Sequence, residues 1–464
     1  MKNKYILFTL LMLAVTSVGA QVYDFNNITF KSNWFNPNEP VATAYGIKYN
    51  GIWGWADASG NEYAIVGAAS GTYFIDVTNP AAPVQRDYVQ GRRNNCIWRE
   101  IKTYQHYAYM VSDDSSPNSL QIVDLSYLPD SVHVVYDDNT LFSRSHTIYI
   151  EGDKLYGGTV NGGSVGNSSM AVFSLANPEL PVLLRSLNSD FSIPGGSVHD
   201  MFVKGDTIYA SCGYSGLYIF SLGANNHFQY INSLITYIDQ GYNHSSALDV
   251  SGTKLYFTDE VPDGMDVKVL DVTDLTNLTV VNNFHSNDLA TPHNPFVKGN
   301  LLYIAYYQDG LQVYDISNPS SPVLAGYFDT YYQNPTGTYP SPAYAGAWGC
   351  YPWLPSGNIL VSDMQNGLFV LDASAISSIK STETNTFNIY PNPVHAGNKF
   401  RIVTGNEVVN GTVIITDMEG KTIYKNTFNS ANTTLETKGY SPGLYMIHLE
   451  SNGKSTVRKL TVIE

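Results

Sequence analysis

Four histidines recur at nearly even intervals along the 464-residue chain: His146, His199, His244 and His293. Trp53, Trp98 and Trp348 extend the series in both directions, with successive steps of 45, 48, 53, 45, 49 and 55 residues. Carboxylates keep the same phase. Asp113-Asp114, Asp259-Glu260 and Asp363 close apolar runs, and Glu100 follows Trp98. Neutral imidazole and carboxylate oxygen together form a donor set for a divalent metal, zinc or calcium. The candidate ligands are His146, His199, His244, His293, Asp114, Asp259, Glu260 and Asp363. The same residues have a structural use, since an in-phase His or Trp can tie a loop to the neighbouring repeat by hydrogen bonds. Both uses stay open, because no compact motif such as His-Glu-x-x-His is present.

Other chemistry is poorly represented. No nucleophile elbow and no phosphate-binding loop is read. Gly157-Gly158 and Gly162-Gly163 read as loop glycines that open no helix. Cys212, in Tyr209-Ala210-Ser211-Cys212, reads as core and not as a nucleophile. Carboxylate pairs leave glycoside hydrolysis open, since sequence does not give their separation. With no catalytic motif, the chain reads as a binding protein before an enzyme. Its 25 basic and 40 acidic side chains give a net charge of −15, which argues against nucleic acid and against an anionic membrane as partner. Charged residues are only 14%, against about 25% in average proteins. The 35 tyrosines and 38 glycines fit β-structure with many turns. Cys96, Cys212 and Cys350 allow at most one bridge.

The elements that would position these residues are repeats. Ile75-Asp76-Val77-Thr78-Asn79-Pro80-Ala81-Ala82-Pro83-Val84 returns as Phe173 to Val182 and as Tyr314 to Val323. Degenerate copies centre on Asp124, Ser221, Asp271 and Asp372. The anchors Asp76, Asp124, Ser174, Ser221, Asp271, Asp315 and Asp372 are 44 to 57 residues apart. That period fits seven four-stranded blades of a β-propeller. Gly71, Gly216, Gly310 and Gly367 precede the third strand of their units and serve the turn from the second. Ser174 and Ser221 replace the repeat Asp, so their turns are expected to differ. The last unit stops after its third strand. The stretch from Val22 to Phe30 is expected to supply the fourth and close the ring. The in-phase residues would then circle one mouth of the central channel. A long connection between the sixth and seventh units, Asp329 to Gly346, adds Tyr331, Tyr332, Tyr339, Tyr344 and Trp348 as a candidate ligand loop.

Both ends have the character of addresses. Lys2 and Lys4 precede an apolar run from Tyr5 to Val15, and small residues lead to Ala20, as in a secretory signal peptide. Loss of residues 1–20 takes the net charge to −17. No later segment is apolar enough for long enough to span a membrane. The stretch 374–386 is a Ser/Thr-rich linker. Alternating strands follow, with a turn at Asp417 to Lys421, and suggest a small Ig-like β-sandwich.

Two resemblances attach to these residues. Tyr390-Pro391-Asn392-Pro393, Asp417, Gly420-Lys421, Gly443-Leu444-Tyr445 and Lys459-Leu460 resemble the C-terminal sorting domain of type IX secretion cargo (type A). That resemblance implies export to the outer surface of a Gram-negative bacterium, contact with the type IX machinery, removal of the domain, and release or attachment to surface lipopolysaccharide. Trp98-Arg99-Glu100, Ser145-His146, His199-Asp200, His293-Asn294 and Gly346-Ala347-Trp348-Gly349-Cys350-Tyr351-Pro352 are similar to the choice-of-anchor B family, whose repeats are LVIVD repeats. That family implies an extracellular propeller and brings no catalytic residues with it. The expected architecture is all-β: signal peptide 1–20, seven-bladed β-propeller 21–373, linker 374–386 and sorting domain 387–464. The expected function is a secreted or surface-displayed binding module for glycan or protein. The alternatives are a metal-dependent hydrolase or lyase at the channel mouth, and a purely structural surface component.

Overall fold

Each repeat unit folds into its own antiparallel sheet because its apolar runs alternate with turn-forming residues. The computed structural model describes residues 23–114, 117–331, 344–378, 387–404, 411–417, 421–430, 432–451 and 454–464. The expected leader, Tyr332, Tyr339 and Gly420 lie outside these. The chain forms two compact units, Met1–Ile376 and Ser377–Glu464.

The first unit is a β-propeller. Its sheets occupy residues 49–90, 99–138, 147–186, 200–234, 243–284, 294–328 and 347–372, here blades one to seven. Their first strands are Tyr49–Ala56, Arg99–Tyr104, Thr147–Glu151, Asp200–Lys204, Asn243–Leu248, Asn294–Lys298 and Ala347–Tyr351. Each first strand touches the next in cyclic order, and the seventh returns to the first, so these strands surround an axis. The second strands are buried on both faces, as Glu62–Ala68 is along its whole length, because a blade is covered by a blade on either side. This explains their continuous apolar runs, which do not alternate. The fourth strands are partly exposed and carry the polar residues.

The pairing of third and fourth strands contains a register shift in every blade, with one extra residue on the outer strand. Such bulges increase strand twist, as a wedge-shaped blade requires. The repeat Asp sits at the end of the third strand and accepts the N–H two residues on, as Thr78 N donates to Asp76 at 3.0 Å and Ser317 N to Asp315 at 2.8 Å. Ser174 does the same through its hydroxyl, at 3.2 Å to Ala176 N, so that turn keeps the repeat's geometry despite the replacement. The glycines before the third strands are fixed by close approach. A Cβ on Gly216, Gly310 or Gly367 would meet a carbonyl oxygen of the outer strand at 2.4, 2.2 or 2.4 Å.

The ring is closed by the N-terminal segment, in a register different from the expected one. Thr29–Trp34 pairs antiparallel with Gly367–Asp372 as the fourth strand of blade seven. Phe25–Asn26 instead adds a fifth strand to blade six, against Tyr327 and Phe328. Asn27, at φ 56°, makes the step between them, and Tyr23, Phe30, Phe328 and Phe369 stack over the seam.

The second unit is a β-sandwich of a three-stranded and a five-stranded sheet around Phe387, Phe400, Ile415, Ile447 and Leu460. No helix among the described residues is long and apolar enough to cross a membrane.

Gly367 tests the closing seam. It has φ +89°, and a Cβ would strike Trp34 O, whereas Gly357 has a similar φ of +84° with nothing within 4 Å. Gly367→Ala is expected to lose about 1–3 kcal/mol more than Gly357→Ala, read as thermal midpoints of the two variants.

Candidate functional site

The first residues of the inner strands meet at one mouth of the channel. His146, His199 and His293 directly precede their strands, and His244 and Trp348 sit at register shifts within theirs. Blades three to six thereby place four imidazoles in an arc, with neighbouring ring centroids 4.0, 4.4 and 4.2 Å apart. The circuit continues from His293 to Tyr307 at 4.7 Å, Tyr344 at 5.7 Å, Tyr45 at 4.5 Å, Trp98 at 6.3 Å and back to His146 at 6.3 Å. Trp53 is not part of it, contrary to the expectation from spacing. The first strand of blade one jumps register from Tyr49 to Ile52, so Asn50-Gly51 take the mouth position. Trp53 falls lower in the channel, against Tyr351 and Trp353.

The arc is held from behind by backbone. His199 Nδ1 donates to the carbonyl of His244 at 3.3 Å, and His293 Nδ1 to that of Trp348 at 2.6 Å. A carbonyl only accepts, so Nδ1 carries the proton in both and Nε2 is the lone-pair nitrogen. His146 Nδ1 is 2.6 Å from Asp113 Oδ2. Burial pushes His199 well below the usual imidazole range, and His244 and His293 down to about 3. Burial also lowers His146, but the Asp113 carboxylate outweighs it and leaves that group raised. The arc therefore presents three neutral imidazoles beside one that favours its charge.

The carboxylates divide. Glu260 reaches the arc: its Oε2 is 3.7 Å from His244 Nε2, while Oε1 accepts the Tyr307 hydroxyl at 2.6 Å. The other three are occupied within or behind their own blades, so the expectation that all would meet the histidines is corrected. Asp114 accepts the backbone N–H groups of Ile97 and Trp98. Asp259 is fully buried against Lys268 Nζ at 2.8 Å and Tyr237 Oη at 2.8 Å. Asp363 takes Thr330 Oγ1 at 2.7 Å and the N–H groups of Gln365 and Asn366, and burial raises it to about 6.

Below the arc lies a cavity of about 470 Å³. Its polar groups include Asn294, Glu100, paired with Lys102, and Asp200, which accepts Thr147 Oγ1 at 2.9 Å and Ser245 Oγ at 2.5 Å. Its apolar wall includes Trp53, Phe202, Phe296 and Trp353, and Lys102 Nζ stands 4.3 Å over the Trp53 ring. Besides the four histidines, Trp98 and Trp348, which also line it, sequence reasoning singled out Trp53 and Glu100 here. Lys102, Asp200, Phe202 and Phe296 lie one to four residues beyond Trp98, His199 and His293 on the same strands, so the phase of the repeat could have found them. Of the candidate ligand loop, Tyr344 and Trp348 pack into the mouth, and Tyr331 follows the turn capped by Asp329.

Two glycine-rich runs are corrected. Gly157-Gly158 lie inside the strand Lys154–Gly162. Gly162-Gly163-Ser164-Val165-Gly166 does spell a Gly-x-Ser-x-Gly elbow, but Gly162 pairs with Gly166 across a hairpin turn and no helix follows. The three cysteines are buried and unbridged.

In the second unit the sorting residues hold the sandwich. Asn392 Nδ2 donates to Lys459 O at 2.8 Å, and its Oδ1 accepts Thr461 N at 2.9 Å. Asp417 accepts Lys421 N at 2.9 Å, and Tyr445 Oη donates to Ser441 O at 2.8 Å.

Residues 388–463 match the secretion system C-terminal sorting domain, and residues 296–330, which cover most of blade six and the two residues after it, match the LVIVD repeat. No curated protein sequence matches the chain. Among solved structures it is similar to PorZ, a surface component of the type IX secretion system of Porphyromonas gingivalis, at 13% identity and TM-score 0.45, covering 88% of this chain and 59% of PorZ. It is also similar to a putative 6-phosphogluconolactonase from Bacteroides uniformis, at 14% identity and TM-score 0.45, covering 80% and 96%. A third is YCF48 bound to a D1 peptide, at 10% identity and TM-score 0.47, covering 74% and 98%. The sorting domain makes the chain cargo of a secretion system, delivered to the cell surface or released.

Two outcomes follow from the geometry. Asn392→Ala removes both of its bonds and is expected to destabilise the sorting unit by about 1–3 kcal/mol, read by chemical denaturation. Burial raises Asp329 to about 7, with the Asp309 and Asp363 carboxylates adding to it. The folded state then holds this proton where the unfolded chain has lost it, so stability falls as pH rises from about 4 to 7. Asp329→Asn is expected to raise the thermal midpoint by about 2–4 °C at pH 8 and to leave it unchanged near pH 4.

Proposed function

We propose that the propeller is an extracellular binding module that takes a saccharide into its central channel. The cavity below the imidazole arc carries this reading. At about 470 Å³ it lies within the ordinary range for ligand pockets. Trp53, Phe296 and the partly exposed Trp353 offer aromatic faces for the apolar faces of a sugar ring. Asn294 and the Asp200 carboxylate supply hydrogen bonds at fixed positions. The Glu100–Lys102 pair neutralises itself, so the pocket favours an uncharged ligand over an acidic one. Export by the sorting domain puts the module where polysaccharide is met.

The test is calorimetric titration of the full chain with a panel of neutral and acidic oligosaccharides. Binding of a neutral member is expected, with a loss of about tenfold or more in Trp53→Ala, the cost of one stacking aromatic. No binding by any member, with the protein folded, would leave the structural role in its place.

A further inference from the structure

Hydrogen bonding leaves one member of the arc unexplained. His244 is 4% exposed, yet its Nε2 faces Glu260 at 3.7 Å, beyond hydrogen-bond reach, while its Nδ1 makes no full hydrogen bond and the ring has only the His293 backbone as a further polar neighbour. A buried polar group is normally satisfied, so this imidazole is an exception that needs a reason.

Its neighbours supply one. Donor atoms of His199, His244 and Glu260 all lie within 4.8 Å of one another. Two of the three are anchored through the atom that does not face the other donors. His199 is held through Nδ1 by the His244 carbonyl, which leaves its Nε2 lone pair free. Glu260 is held through Oε1 by Tyr307, which leaves Oε2 toward His244. Metal-binding imidazoles and carboxylates are commonly anchored in this way by a carbonyl or hydroxyl on the far atom. Donors around a tetrahedral ion at about 2.0–2.2 Å stand roughly 3.4 Å apart, close to the His244–Glu260 separation.

We propose that His199, His244 and Glu260 form a binding site for a divalent transition-metal ion at the mouth of the channel, flanked by His146 and His293. Two imidazoles and one carboxylate suit zinc, iron or copper better than calcium, which takes six to eight oxygens. Three protein donors leave a coordination position for water or for a group on a ligand in the cavity beneath. Tyr307 is a positioning residue for Glu260. The proposal does not need the saccharide reading, because metal retention is measured without any sugar.

The experiment loads the full chain with Zn²⁺ or Co²⁺, dialyses it, and measures metal by elemental analysis and the visible ligand-field bands of the cobalt form. About one equivalent per chain is expected. His199→Ala/His244→Ala is expected to retain at least about tenfold less, and Tyr307→Phe to bind about 10–100-fold more weakly with the cobalt bands preserved. The exposed His227 and His285, each beside a carboxylate, would hold metal equally in wild type and variant. Retention unchanged by the double substitution, or negligible retention by folded wild type, overturns the site. Should the double variant not fold, Glu260→Gln decides: weaker binding and altered cobalt bands support the site, and unchanged ones overturn it. Sugar binding repeated with a chelator separates the two readings, since either can fail while the other persists.

Discussion

The pairing of Thr29–Trp34 with Gly367–Asp372 decides whether this molecule has an axis at all. Blade seven contributes only three strands from its own stretch of chain. Without the N-terminal strand, Gly367–Asp372 would be a free edge and the ring an open arc, with the exposure that edges bring. Tyr23 and Phe30 bury the seam against Phe328 and Phe369, so the closure is apolar as well as hydrogen-bonded. Once the ring is closed, residues far apart in sequence become neighbours by rule. His146 and His293 come to lie at the two ends of one continuous imidazole arc.

That rule explains what could be read from the chain and what could not. Period, turn chemistry and the in-phase histidines are properties of single repeats, and each repeat states them again. The Asp-x-x-Asn-Pro turn and the glycine before the third strand are legible because one local backbone requirement recurs. Departures from the period are not legible. Blade one carries a wider bulge after Tyr49, so counting residues placed Trp53 at the mouth when Asn50-Gly51 occupy it. Asp259 and Glu260 are adjacent, but the first still belongs to a strand whose neighbour offers Lys268, and the second has passed the strand end into the mouth. Sequence phase cannot separate two neighbours that face opposite ways. Tyr45, Tyr307 and Tyr344 come from connections of different lengths, and nothing in the repeat marks them as parts of one circuit. The closing strand was legible as a need, since one strand was missing, but its register depends on the aromatic seam.

The electrostatics of the channel differ from those of the chain. A net charge of −15 belongs to the molecule as a whole. At the mouth, three imidazoles are kept neutral chiefly by burial, Glu100 has Lys102, and Asp200 is taken by two hydroxyls. Such a place favours interactions made by geometry and lone pairs over those made by attraction at a distance.

The two uses that the sequence allows for the histidines need not compete, because an imidazole has two nitrogens. The tie to the next blade takes Nδ1, where His199 reaches the His244 carbonyl and His293 the Trp348 carbonyl. Each such bond links neighbouring blades across the mouth and fixes the ring's tautomer. The same bond leaves Nε2 as an acceptor in a buried, aromatic setting. A purely structural tie would be served as well by any side chain that donates to the next carbonyl, and Asn294 does this to Trp348 at 3.2 Å from the neighbouring position. What histidine adds to an amide is the second, lone-pair nitrogen at a set angle. Four blades in succession place a histidine at this level.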